Sequence, residues 1–355
     1  MFVRRIRSLP SPPPPSSLLR LRAFHSSPTP LADKPSVPIA LISKIRSLRP
    51  GTPLSLARSA LLSSANDVDA ALAWIAAQAA DTGAAKAKKL EGRAATEGLV
   101  GVALLGDGTG GVGVRAAMVE LSCETDFVAR TDEFRALLEQ ITRALAFFAE
   151  PSTSSTHLTL HPPSSLADTP LVPSSSDASS TSAPFSTIGT SISSTISRLG
   201  ENISLRRAAT LSLDPVLPGS TTHLASTYLH GSTSPASTDT SFQSGSLASL
   251  LLCRLPSGGE VDRVDVKSVL RALARQVVAV PTDSVRGSGK GEEEVSKALY
   301  EQPIMTMVSS EKLVFGEGAT VEQVLEAWSR KRGVEGDLEV MEVQRWEVGG
   351  CEAKE

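Results

Sequence analysis

Residues 99–150 change hydrophobic period once, and that change constrains the fold more than any other feature of the chain. "LVGVALL" and "VGVRAAMVEL" flank the Gly-rich "GDGTGG". In the second run Val112, Val114, Ala116 and Met118 alternate, which predicts a strand with one inward face. From Thr131 the spacing lengthens: Phe134, Leu137, Leu138, Ile141 and Leu145 recur as on a helix. The expected unit is strand, tight turn, strand, helix. Gly108, Gly110 and Gly113 also fit the spacing GxGxxG. A dinucleotide site, however, needs a helix after its glycines so that pyrophosphate meets free N–H groups. Here a period-two run follows, so a hairpin is expected and an oxidoreductase reading is disfavoured.

A similar unit recurs further on. "TYLHGSTS" leads into a Ser-rich loop, and "GSLASLLLCRL" reads as a strand. "VDVKSVLRALARQVVAV" then places Val266, Val269, Leu270, Leu273 and Val277 on one helical side. "EEVSKALYEQP" predicts a short helix stopped by Pro303. "ATVEQVLEAWSRKRG" carries a capping box, Thr320 with Gln323, and a core face of Val321, Val324, Leu325 and Trp328. "GDLEVMEVQRWEVG" closes as a strand. The fold class expected is α+β, with two related core subdomains at 99–150 and 187–349. Between them, residues 151–186 hold 17 Ser or Thr, 6 Pro and two charges. So little apolar surface cannot offset ordering entropy, so a disordered insertion is expected, one whose removal leaves function intact.

Ahead of the core, residues 37–80 predict three short helices. Ile42 and Ile45 mark the first, and Leu56, Ala60 and Leu61 the second. Val68, Leu72 and Ile75 mark the third, with Asn66 or Asp67 as its cap. Residues 81–98 form an Ala-rich connector in which Lys86, Lys88, Lys89 and Arg93 read as a solvated face. Residues 1–32 hold five arginines and no acid, the composition of a mitochondrial transit peptide, with cleavage expected near Phe24. That predicts residence in the mitochondrial matrix.

Net charge is −3, and the body beyond residue 32 is more acidic still. Direct nucleic-acid binding is therefore not expected, because phosphate neutralisation needs clustered Lys and Arg. No run of about 18 apolar residues predicts a membrane span. Cys123, Cys253 and Cys351 lie far apart, which argues against a disulfide framework or a zinc site and fits a reducing compartment. Neither cofactor nor metal is expected. Cys123 as a nucleophile, with His223 or His230 as base, has no supporting order or spacing.

The stretch "VELSCETDFVART" leaves two readings open. Thr125 or Asp126 caps a helix and Phe127 enters the core; or Phe127, surplus to the inward rows of strand and helix, projects beside Asp126 as a binding residue. His230 in "YLHG" is a loop histidine with the same ambiguity.

"CETDFVARTDEF" resembles the signature of elongation factor Ts. Other segments resemble that family in its own order. "LRPGTPLSLARSALLSSANDVDAALAWI" is similar to its ubiquitin-associated-like N-terminal module, and "KLEGRAATEGLVGV" to its connector. "LGENISLRRAA" and "YLHG" are similar to its second subdomain, and "ALYEQPIM", "TVEQVLEAW" and "EVQRWEVG" to its C-terminal stretch. With the leader, the match is to the mitochondrial form. The resemblance implies nucleotide exchange on elongation factor Tu by protein–protein binding rather than enzymatic turnover. It implies that Asp126 and Phe127 are partner-binding, the ring entering between two helices of the GTPase near its magnesium and phosphate sites, with Thr125 and Val128 shaping the turn. It implies that His230 touches another domain of the GTPase, and that Leu54 and Ser55 occupy the module's apolar contact positions, with the contact at Ser55 weakened or replaced. An adaptor binding through the three-helix module is the alternative.

Overall fold

The computed structural model describes residues 37–90, 92–152, 156–172, 186–217, 221–231, 241–256, 263–287, 297–305, 318–334 and 336–350. The predicted leader, 1–32, lies outside them. The chain divides into two compact units, 1–68 and 69–355.

The first unit contains α1 (Ile39–Leu48) and α2 (Leu54–Ser63), each entered from a proline. Ile42, Ile45, Ala57, Ala60 and Leu61 are buried. Ala65 and Asn66 then take positive φ and end the segment. The third predicted helix is α3 (Val68–Leu90), 23 residues that run on past 80 into the predicted connector. Alanine is the best helix former, and no proline stops the run.

Within the second unit α3 packs on α6 (Ile188–Leu199). A Cβ on Gly83 would stand 1.9 Å from the carbonyl oxygen of Ser193, so the two backbones meet there because glycine has no side chain. Lys86 Nζ donates to Ser197 O at 2.9 Å. Lys86 thus leaves the predicted solvated face, whereas Lys88 and Lys89 stay exposed. Gly83→Ala is expected to force the helices apart and destabilise by about 1–3 kcal/mol, the usual overpacking cost. Urea unfolding checks this; an unchanged midpoint would mean that the close approach is dispensable.

The rest of the second unit is a duplication. β1 (Glu97–Asp107) and β2 (Val114–Cys123) make the predicted hairpin, whose turn holds Gly108, Gly110, Gly111 and Gly113 at positive φ. Val112 lies in that turn and is exposed rather than inward. After the single-turn helix α4 (Asp126–Ala129) come α5 (Asp132–Phe148), β3 (Leu158–His161), α6 and β4 (Ile203–Leu213). The second copy runs β5 (Thr222–His230), β6 (Phe242–Gly245), β7 (Leu247–Leu255), α7 (Arg263–Ala279), α8 (Val321–Arg332) and β8 (Glu339–Glu347). The sheet orders are β3-β4-β2-β1-β6 and β5-β7-β8, with every pair antiparallel. Without the edge strands β3 and β6, both copies read first strand, second strand, third strand. The helices correspond too: α5 and α7 have 17 residues, α6 and α8 have 12. Both shorter helices open with a capping box, at Thr187 and Thr320, and close on a left-handed glycine, Gly200 and Gly333. Each cap contributes about 1 kcal/mol.

This organisation corrects the sequential boundaries. α6 and β4 fall in 187–349 yet complete the first subdomain, because the free edge of β2 is satisfied by β4. β6 likewise pairs with β1. In the C-terminal stretch, the described part of "EEVSKALYEQP" is a 3-10 turn at Leu299–Glu301 rather than an α-helix.

Residue alternation distributes the strands between three cores. Ala117, Val119 and Leu121 pack with Phe134, Leu138 and Ile141 of α5. Val114, Ala116 and Met118 face Leu250, Leu252 and Trp346 of the other sheet. Leu251 and Cys253 pack with Leu270, Leu273 and Trp328. The order is therefore helices, sheet, sheet, helices, which buries nearly all of β2 on both faces.

The 151–186 segment is not wholly disordered. Residues 153–155 and 173–185 lie outside the described residues, but 156–172 are ordered. β3 pairs with the edge of β4, and a 3-10 turn follows at Pro163–Leu166. Leu166 and Leu171 enter the first core. The backbone N–H groups of His157 and Leu158 both donate to the Glu342 carboxylate of β8. Few apolar residues suffice for an edge strand with a ready partner. Replacing 156–172 by a Gly/Ser linker is expected to lower the unfolding midpoint, since each lost leucine removes about 1.5–3 kcal/mol of burial and β4 becomes an open edge. An unchanged midpoint in denaturant titration would show the strap to be ornamental.

Candidate functional site

The turn after β2 is built from the capping preferences of Thr125 and Thr131. Thr125 Oγ1 accepts from the Val128 N–H at 3.4 Å and starts α4. Thr131 Oγ1 accepts from the Phe134 N–H at 3.3 Å and starts α5. The same Thr131 hydroxyl donates to Val128 O at 2.8 Å, tying the two helices at their junction. Val128 and Ala129 are buried against the first core. Their burial fixes the roll of this single helical turn, and Phe127 consequently faces solvent with 79% of its surface exposed. Asp126, beside it, pairs with Arg130 one turn later at 3.0 Å, both side chains being substantially exposed.

Of the two readings of this stretch, the cap belongs to Thr125 and the ring is not in the core. The alternative chemistry at Cys123 is excluded by its setting. Its thiol is buried and donates to Thr125 O at 3.1 Å. Burial, and after it the Glu201 carboxylate, pushes it up to about 12, so a thiolate nucleophile does not form near neutrality.

Two carboxylates that sequence reasoning did not single out hold the turn. Glu201 accepts from the Thr125 N–H at 3.1 Å and from its hydroxyl at 2.7 Å. Glu124 accepts from the Asn202 N–H at 2.8 Å and from Arg93 at 3.4 Å. Asn202 Nδ2 in turn donates to Arg93 O at 2.9 Å. Arg93, Glu124–Thr125 and Glu201–Asn202, distant in sequence, thus converge on the Phe127 turn.

Thr125, Asp126, Phe127 and Val128 form one continuous feature. His230 and Leu54 lie on other elements. His230 ends β5, exposed, in register with Leu247. Its carbonyl accepts from the Ser246 N–H at 3.0 Å, and Gly231 turns the chain at a φ of 71°. Leu54 opens α2 in the first unit with 60% exposure, followed by the exposed Ser55. No helix among the described residues is long and apolar enough to cross a membrane.

Comparison with known proteins bears on this geometry. The family model described as Elongation factor TS matches residues 124–350, beginning at the carboxylate that precedes Thr125. The protein named elongation factor Ts, mitochondrial, of Coprinopsis cinerea is 39% identical over 349 residues, covering 94% of this chain and 96% of its own length. That of Laccaria bicolor is 36% identical over 341 residues, covering 93% and 95%. The second mitochondrial elongation factor Ts of Postia placenta is 34% identical over 329 residues, covering 87% and 91%. These relatives are named mitochondrial, and the chain is assigned to the mitochondrion with them. From the match across the core and from relatives that align along nearly its whole length, the chain belongs to the elongation factor Ts family of translation elongation factors.

Proposed function

We propose that the chain promotes GDP release from the mitochondrial elongation factor Tu, using Phe127 as a wedge. The observation that carries this reading is the exposed ring on a turn whose backbone is fixed from behind. A GTPase retains GDP through its phosphates and a bridging Mg²⁺. A factor evicts the nucleotide only by binding the empty form more tightly, and bound GDP must then weaken the factor by the same ratio. Inserting a phenyl ring between partner helices contributes about 1.5–3 kcal/mol. With about 1.4 kcal/mol per tenfold, one ring supplies part of the effect. The remainder comes from further contacts, with His230 and Leu54 each contributing separately.

Asp126 is held by Arg130 in the free chain. An exposed pair of this kind is worth little, so its carboxylate is available to partner donors on docking. The chemistry is binding rather than turnover. An adaptor role for the three-helix module is not favoured, since relatives named elongation factor Ts align along nearly the whole chain rather than with that module alone. Stopped-flow release of fluorescent GDP from the cognate GTPase is the test. Substoichiometric chain is expected to accelerate release; a rate equal to spontaneous loss would overturn the exchange reading.

A further inference from the structure

We infer that Glu201 is a positioning residue for the Phe127 turn, acting through Thr125; the functional half of this inference rests on the exchange reading above. α6 ends where Gly200 adopts a φ of 78°, and this reversal brings Glu201 back to the turn after β2. Its two carboxylate oxygens take both donors of Thr125, the N–H at 3.1 Å and the hydroxyl at 2.7 Å. The hydroxyl proton is thereby committed, and the lone pairs of Oγ1 are left to face the Val128 N–H. One carboxylate therefore selects the rotamer of the residue that starts α4. Glu124 returns the contact by accepting from Asn202, so positions 124–125 and 201–202 exchange carboxylates across the turn.

The physical need for such an anchor follows from the size of α4. A helix of four residues lies far below the length at which hydrogen bonding sustains itself, so its first turn must be fixed from outside. Phe127 is mostly solvent-exposed, leaving its direction to the backbone beneath it. Val128 and Ala129 hold the far side of that backbone by burial, and Thr125 holds the near side through Glu201. Removing Glu201 strips Thr125 of both acceptors without opening the core.

The test combines exchange kinetics with hydrogen–deuterium exchange on the full chain. Glu201→Ala is expected to slow GDP release about tenfold, the loss appropriate to a charge-assisted anchor. In that variant the Val128 and Ala129 amides are expected to exchange faster, while the α5 amides keep their protection. Glu201→Gln should restore both readouts most of the way, because its carbonyl accepts the Thr125 N–H and its amide can donate to Oγ1. In a Phe127→Ala background, Glu201→Ala should add no further loss, since both changes act through one ring. Unchanged amide exchange at Val128 and Ala129 would overturn the positioning role. So would a kinetic loss that persists undiminished without the ring. Faster amide exchange together with GDP release insensitive to Phe127 would leave Glu201 as the anchor of the turn and instead sink the wedge reading.

Discussion

Phe127→Ala is expected to slow GDP release from the partner GTPase by about ten- to a hundredfold while leaving the melting temperature in place. The kinetic figure is the burial free energy of one phenyl ring, about 1.5–3 kcal/mol, expressed as a ratio. The stability figure follows from exposure. A side chain 79% open to solvent contributes little to its own fold, and such surface changes stay within about 0.5 kcal/mol. The pairing of outcomes is diagnostic. Had the ring belonged to the core, truncation would cost about 3–5 kcal/mol of stability. Phe127→Leu should fall between the two, since it keeps apolar volume but loses the planar edge. Stopped-flow kinetics with thermal unfolding of the same preparations separates these cases.

The largest effect on stability is expected at the opposite kind of site. Glu120 lies on β2 with a side chain fully out of solvent. Its carboxylate accepts from Arg207 Nε on β4 and from the Gly349 N–H at 2.9 Å, with Arg206 Nε 3.7 Å away. Arg207 also donates to Glu347 O at 2.8 Å and lies over the Trp346 ring at 4.6 Å. This cluster therefore clasps the end of β8, in the second sheet, to β2 and β4 of the first. Glu120→Ala leaves a buried guanidinium without its counter-charge and is expected to destabilise by about 3–5 kcal/mol. Glu120→Gln keeps the shape and one acceptor and should cost less. Chemical denaturation at neutral pH reads both. An Ala variant as stable as wild type would show that Arg207 finds enough compensation from Glu347 and Trp346 alone. Neither substitution touches the Phe127 turn, so exchange per folded molecule should hold.

The contrast shows what the sequence made readable. Regular periods were: the stripe Phe134, Leu137, Leu138, Ile141 and Leu145 is buried throughout, as are Val266, Val269, Leu270, Leu273 and Val277. Capping chemistry was too, since the Thr320–Gln323 box forms as its spacing requires. The duplication was visible as two strand–strand–helix runs. Its closing strand, β4, falls by sequence in 187–349 because the pairing partners β2 and β4 are separated by α5, β3 and α6. The ordered strap at 156–172 was hidden for a different reason. An edge strand needs only backbone pairing and scattered leucines, neither of which leaves a period. At the site, "CETDFVAR" marked the place, but the outward stance of Phe127 depends on Val128 and Ala129 being buried. Glu201 lies 76 residues from Thr125 and carries no local signal that it anchors the turn.

A photocrosslinker at position 127 interrogates the outward wedge most directly. A benzoyl-phenylalanine introduced there would be irradiated with the nucleotide-free GTPase, and the adducts mapped by mass spectrometry. The expected adduct joins position 127 to the nucleotide-binding domain of the GTPase and disappears when excess GDP is added, as reciprocal linkage requires. Adducts confined to this chain, or adducts to the GTPase that GDP leaves undiminished, would contradict the proposed role of Phe127.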